Sequence, residues 1–214
     1  MLKNRKNRFM ILSAILLSFI TGGCLSKSRA PYYLEQFVLD YTLPKKDYGK
    51  VMDTSVKFSR FSVAHIYNNN RMNYKVNPFK MDAYNYSRWR VNPADLVGDY
   101  LLRDLRDSNT IAVVLSYKNP EDTRFLIEGG IEEFLEVIEE GRHYAVFWIN
   151  LIMIDTKESE ITKKIIFQKR YQAKEPLKDH SPESLAKGMS ASVARVSEEF
   201  VGDIYSVLKV KNLF

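Results

Sequence analysis

Phe125–Val137, FLIEGGIEEFLEV, and Tyr144–Ile154, YAVFWINLIMI, decide the fold. The two apolar runs are separated by Glu139-Glu140-Gly141-Arg142 and read as the arms of a β-hairpin. In the second arm both faces are apolar, with Val146, Trp148 and Ile152 on one side and Phe147, Ile149, Leu151 and Met153 on the other. That pattern predicts a central strand covered on both sides. Gly129-Gly130 interrupts the first arm, but no Gly-Lys-Ser/Thr follows, so it is no phosphate loop. A bulge or a close backbone approach is expected there instead.

Working outward, Asp155–Glu160 turns the chain, and Ile161, Ile165, Phe167 and Tyr171 alternate with polar residues as a half-exposed strand. Ser181-Pro182-Glu183 opens a last helix with the stripe Leu185, Met189, Val193, Val196, Phe200, Ile204 and Leu208. Ala186, Gly188, Ala191 and Ala194 would let that helix lie close against a sheet. Before the hairpin, Ile111–Tyr117 reads as a strand and Asn119–Asp122 as a turn. Asn92-Pro93-Ala94-Asp95 supplies an N-cap, a first-turn proline and a carboxylate for a helix ending near Ser108-Asn109. Four further strands are expected at Tyr32–Tyr41, Val56–Tyr67 with a bulge near Ser59-Arg60, Met72–Val76 and Ala83–Trp89. The order gives an α+β class: a mostly antiparallel or mixed β-sheet with two main helices packed on one face, an α/β sandwich.

Ahead of this domain, Lys3, Arg5, Lys6 and Arg8 form a basic leader to the apolar run Phe9–Ile20. A membrane-spanning helix needs roughly 20 apolar residues, whereas a signal-peptide core takes about 7–15. Thr21-Gly22-Gly23-Cys24 follows, small residues leading into the one cysteine of the 214-residue chain. The expected organisation is a signal peptide at 1–23, a lipidated tether at 24–31 and a domain at 32–214. Removing 1–23 takes away four basic residues and no acidic ones, lowering the formal charge from +6 to +2. Nucleic-acid binding therefore has little electrostatic support. With 13 tyrosines and 12 phenylalanines against 9 glycines, a packed, strand-rich domain is favoured over a flexible one.

No catalytic, cofactor or metal site is expected. His65 is assigned to a strand, His143 to the side of the hairpin turn and His180 to the residue before the last helix, none at metal-helix spacing. Each reads as a surface or partly packed side chain. Glu132, Glu133, Glu136, Glu139 and Glu140 read as an acidic hairpin edge that discourages strand pairing. Ser190 and Ser192 lack a nucleophile elbow and read as helix packing. Tyr84, Tyr86, Arg88 and Trp89 suit either ligand stacking or cross-strand aromatic packing.

Thr21–Cys24 resembles the lipobox of bacterial lipoproteins, with Thr21 where that pattern usually has leucine. Further segments extend the resemblance: Tyr32-Tyr33-Leu34, Phe61-Ser62-Val63-Ala64, Arg71-Met72-Asn73-Tyr74-Lys75, and Tyr84-Asn85-Tyr86-Ser87-Arg88-Trp89 with Pro93-Ala94. Together they resemble the ABC-type transport auxiliary lipoprotein family, PqiC-like envelope lipoproteins, over nearly the whole chain after Cys24. The resemblance implies a non-enzymatic periplasmic accessory of an envelope lipid or solute transport system. Its anchor would be acyl and diacylglycerol lipid (palmitate-class chains) on Cys24. Its expected partners are an MCE-type substrate-binding protein, an ABC permease and an ATPase, with no nucleic acid. Leu25 stands where aspartate would favour inner-membrane retention, which implies the outer membrane. Tyr84, Tyr86 and Arg88 are the candidate docking residues. A structural outer-membrane assembly lipoprotein partnering a β-barrel is the other reading.

Overall fold

The structure, a computed structural model, describes residues 32–211. Cys24, the leader and the tether lie outside the described residues, as do 212–214. The chain divides into Met1–Tyr33, of which only Tyr32 and Tyr33 are described, and a larger unit from Leu34 onward. In order, that unit contains β1 (Glu35–Phe37), β2 (Met52–Phe58), β3 (Ser62–Val63), a 3-10 turn (His65–Tyr67), β4 (Arg71–Asn77) and β5 (Lys80–Trp89). There follow α1 (Pro93–Asp107), β6 (Ile111–Leu115), β7 (Phe125–Glu139), β8 (Arg142–Asp155), α2 (Ile161–Lys164), β9 (Ile165–Pro176) and α3 (Pro182–Val210).

The expected hairpin is β7–β8. Glu140 and Gly141 both take positive φ, 49° and 75°, as a two-residue turn matching the strand twist requires. β8 pairs antiparallel with β7 from Phe125↔Asp155 to Glu139↔Arg142, and β9 pairs antiparallel with its other edge. The free edge of β7 is shared by three short strands, all parallel to it. β2 takes Phe125–Ile127, β3 takes Gly130-Ile131 and β4 takes Glu136-Val137. From there the sheet forks. β6 adds to β2, while β5 and then β1 add to β4.

The kink foreseen near Ser59-Arg60 is therefore a full break between β2 and β3. It lets the chain step along β7, and it places Phe61 against the glycine pair. A Cβ at position 129 would lie 2.7 Å from atoms of the Phe61 ring, so a close approach holds that glycine in place. The sheet ladder also slips between Ile131 and Glu133, a β-bulge.

Both main helices start as the sequence indicates. Asn92 caps α1 by accepting the Ala94 N–H at 2.9 Å, and Ser181 caps α3 by accepting that of Ser184 at 3.2 Å. The helices share one core with the sheet. Leu96, Val97, Leu101 and Leu105 of α1 and Leu185, Met189, Val193, Phe200, Ile204 and Leu208 of α3 are buried against Val56, Phe125, Phe134, Phe147 and Leu151. At Gly188 a Cβ would come within 3.0 Å of the Ala145 Cβ, so α3 crosses β8 almost backbone on backbone. Asp104 of α1 accepts from Ser197 of α3 at 2.6 Å and from Tyr41 at 2.7 Å.

Three expectations change. The first strand shortens to Glu35–Phe37, because the chain leaves the sheet to pin Asp40 N–H on Ser190 at 2.9 Å. Ile161 sits in the single-turn α2 and is exposed, so the last strand begins only at Ile165. β8 is central, yet only its helix-side residues, Ala145, Phe147, Ile149, Leu151 and Met153, are wholly buried. On the other face Val146 joins a small cluster with Tyr67 and Leu135, while Trp148 lies half-buried under the Arg170 guanidinium, 4.7 Å from the ring centre. Phe147→Ala should therefore cost about 3–5 kcal/mol, the range for emptying a packed aromatic site, and Trp148→Ala clearly less. Urea denaturation of the two variants checks the asymmetry, and equal losses would contradict it.

Candidate functional site

The bulge in β7 decides which side chains meet beneath the start of α3. Before it, Phe125, Ile127 and Ile131 point to the helix side. After it the inward phase falls on even positions, Phe134 and Glu136. One extra residue thus carries a carboxylate to the core face and leaves Leu135 on the other. Glu136 pairs with Ala145 across the hairpin, so His143, two residues back on the same face of β8, is its diagonal neighbour. On its other side Glu136 pairs with Tyr74 of β4. His180, just before the cap of α3, closes the group from above.

Glu136 is wholly buried, at 0% exposure. Its Oε1 receives both imidazoles, His143 Nδ1 at 2.7 Å and His180 Nδ1 at 2.9 Å. Its Oε2 accepts the Tyr84 phenol at 2.5 Å, and the same phenol oxygen is 2.9 Å from His180 Nδ1. The rings support each other. His180 stacks on Tyr84 and on His143 and stands edge-on to Tyr74, with centroids 4.9, 5.5 and 4.8 Å apart. Burial first, and then the Glu136 carboxylate, push the Tyr84 phenol well above the ordinary tyrosine range, so it remains a donor. Beside it Asp179 is held below the usual carboxylate range by hydroxyl donors from Ser181 and Ser184. Glu136, His143 and His180 are the side chains here that could hold a metal ion, with one ligand atom from each within 4.8 Å of the others.

The expected docking residues separate. β5 pairs with β4 from Lys80 to Ala83 and again at Arg88, and with β1 from Ser87 to Trp89, so Tyr84–Tyr86 lie within the register shift of the β4 ladder. Tyr84 turns inward to Glu136. Arg88 donates to its own strand, to the carbonyls of Tyr84 and Ser87. Tyr86 is half-exposed.

The acidic cluster is no strand edge, since β7 is paired on both sides. Glu132 pairs with Arg170, Glu139 with Lys174, and Glu133 accepts from Tyr67 at 2.6 Å. His65 belongs to the 3-10 turn, not a strand, and is exposed. Spacing alone could not join His143 to His180, because the link runs through Glu136 on β7. The one available signal was Glu136 itself, once a bulge between Ile131 and Glu133 is allowed to invert the alternation.

No family model and no curated protein matches the chain. Solved structures do. A Xanthomonas campestris protein assigned to the DUF330 family is 14% identical and superposes with a TM-score of 0.73, covering 84% of this chain and 99% of that one. A second, uncharacterised protein is 11% identical, with a TM-score of 0.61 over 79% and 98% of the two chains. A hypothetical protein of Chlamydia trachomatis is 11% identical, with a TM-score of 0.51 over 72% and 97%. At such identities the likeness shows a shared fold.

Removing the Tyr84 hydroxyl tests the network. Tyr84→Phe should lower stability at neutral pH by about 1.5–3 kcal/mol, as for a hydrogen bond to a charged group. A phenol whose folded pKa is raised supports the fold fully below about pH 10, where the unfolded chain's tyrosines begin to ionise, and loses that support as pH rises. Tyr41, Tyr67 and Tyr171 are raised in the same way, so the parent's stability should fall above about pH 10 and Tyr84→Phe should flatten the fall. Urea midpoints across that range read both effects.

Proposed function

We propose that this chain is a membrane-anchored, non-catalytic periplasmic accessory lipoprotein of an ABC/MCE-type envelope lipid or solute transport system. The observation that carries the reading is the leader grammar ending in Thr21-Gly22-Gly23-Cys24. The family resemblance of the segments from Tyr32 to Pro93-Ala94 supports the transport assignment. Among the described residues no helix is long and apolar enough to cross a membrane, and attachment in this reading rests on lipid at Cys24. One acyl chain binds a bilayer only marginally; two or more hold stably, at about 0.8 kcal/mol per buried methylene. Anchoring raises the effective concentration of the domain for a partner at the same surface without any new contact. Leu25 after the cysteine favours the outer membrane, periplasmic face. The half-exposed Tyr86, within the register shift of β5, is the natural centre of the docking surface. Tyr84 and Arg88 shape that surface from beneath.

Two measurements test the reading. Cys24→Ser should move the protein from the membrane to the soluble fraction and abolish labelling by radioactive palmitate; unchanged membrane retention would refute the anchor. A photo-crosslinking residue at Tyr86 in cells should trap an MCE protein, a permease or an ATPase subunit. A β-barrel adduct without any of these would redirect the function to outer-membrane assembly.

A further inference from the structure

We propose that Glu136, His143 and His180 form a binding site for a divalent transition metal of the zinc class. The site ties the β7–β8 hairpin to the start of α3. It lies apart from the exposed face of β5 and does not depend on the transport reading.

The chemistry of the donor set is the first argument. A wholly buried acidic side chain is paired, hydrogen-bonded or bound to a metal, and two imidazole nitrogens beside it select zinc-like ions over magnesium or calcium, which take oxygen ligands. The His143 and His180 rings lie nearly parallel, 24° apart, with centroids at 5.5 Å, and both present Nδ1 to the same carboxylate oxygen.

The second argument is fit. Zinc bonds of about 2.0–2.2 Å to nitrogen and oxygen place neighbouring tetrahedral ligands roughly 3.3 Å apart. The two nitrogens stand 2.7 and 2.9 Å from Glu136 Oε1, and all three ligand atoms lie within 4.8 Å of one another, so shifts of the two imidazoles bring the set to zinc spacing. The histidine side chains, 22% and 39% exposed, can make that adjustment and give the ion a way in. A third feature completes the site. Tyr84 holds the second carboxylate oxygen at 2.5 Å and fixes its orientation, as partners of metal-bound carboxylates do. Three protein ligands leave the fourth position to water.

Isothermal titration of zinc chloride into the purified full chain tests this, with Cys24→Ser as the background that removes a competing thiol. The expected result is one zinc per chain, binding at least tenfold weaker in His143→Gln and in His180→Asn and unchanged in His65→Asn. Cobalt(II) should give tetrahedral visible absorption bands that zinc displaces and that both variants lose. Zinc should also raise the melting temperature of the parent and not that of the double variant. Absence of binding, or binding of equal affinity in the double variant, overturns the proposal. Glu136→Gln is a stricter variant; should it fail to fold, the two partly exposed histidines still decide the question.

Discussion

A strand of 15 residues presents hydrogen-bonding groups along two edges, and everything in this sheet follows from how the second edge of β7 is satisfied. β8 matches the first edge end to end. No single strand matches the other, so β2, β3 and β4 divide it among them in parallel register. Division forces the sheet to fork, because each partial neighbour carries its own further strands away. It also requires the break at Ser59–Phe61, which moves the chain from one segment of β7 to the next. Phe61 then fills the space that the missing Gly129 side chain leaves.

Much of this was legible in the sequence wherever the signal was local. Glu140-Gly141 marks a turn through its demand for positive φ, and Asn92-Pro93 and Ser181-Pro182 mark helix starts through their caps. The stripes of both helices face the core as their spacing indicates. Legibility ended where pairing is long-range. Nothing near Ser62 or Tyr74 says that both will lie on β7, and the shortened β1 reflects the competing bond from Asp40 to Ser190, far along the chain. The Glu136 cluster escaped for the same reason. Its members belong to two strands and a helix entry, and a bulge reverses the alternation that had assigned Glu136 to an acidic edge.

A recurring device links the two faces of the molecule. Four tyrosines donate to carboxylates: Tyr41 to Asp104, Tyr67 to Glu133, Tyr84 to Glu136 and Tyr171 to Asp203. Each phenol joins segments distant in sequence, and at Asp104 and Glu136 it satisfies an acid that would otherwise be costly to bury. The abundance of tyrosine thus reflects more than strand preference, because the ring fills the packing while the hydroxyl carries polar cross-links. With no thiol among residues 32–211, these contacts do part of the fastening that disulfides provide in other domains.

The parallel sharing of β7 also has a kinetic side. β2, β3 and β4 leave the ribosome, or a translocation channel, well before the strand that will accept them. Closing such distant pairs costs loop entropy before any contact offsets it, which slows folding and lengthens the life of open strand edges. β2 and β3, and the free edge of the β4–β5 hairpin, therefore wait for a template that arrives late. The chain's maturation should lean on a holding chaperone more heavily than that of a helical bundle of equal size.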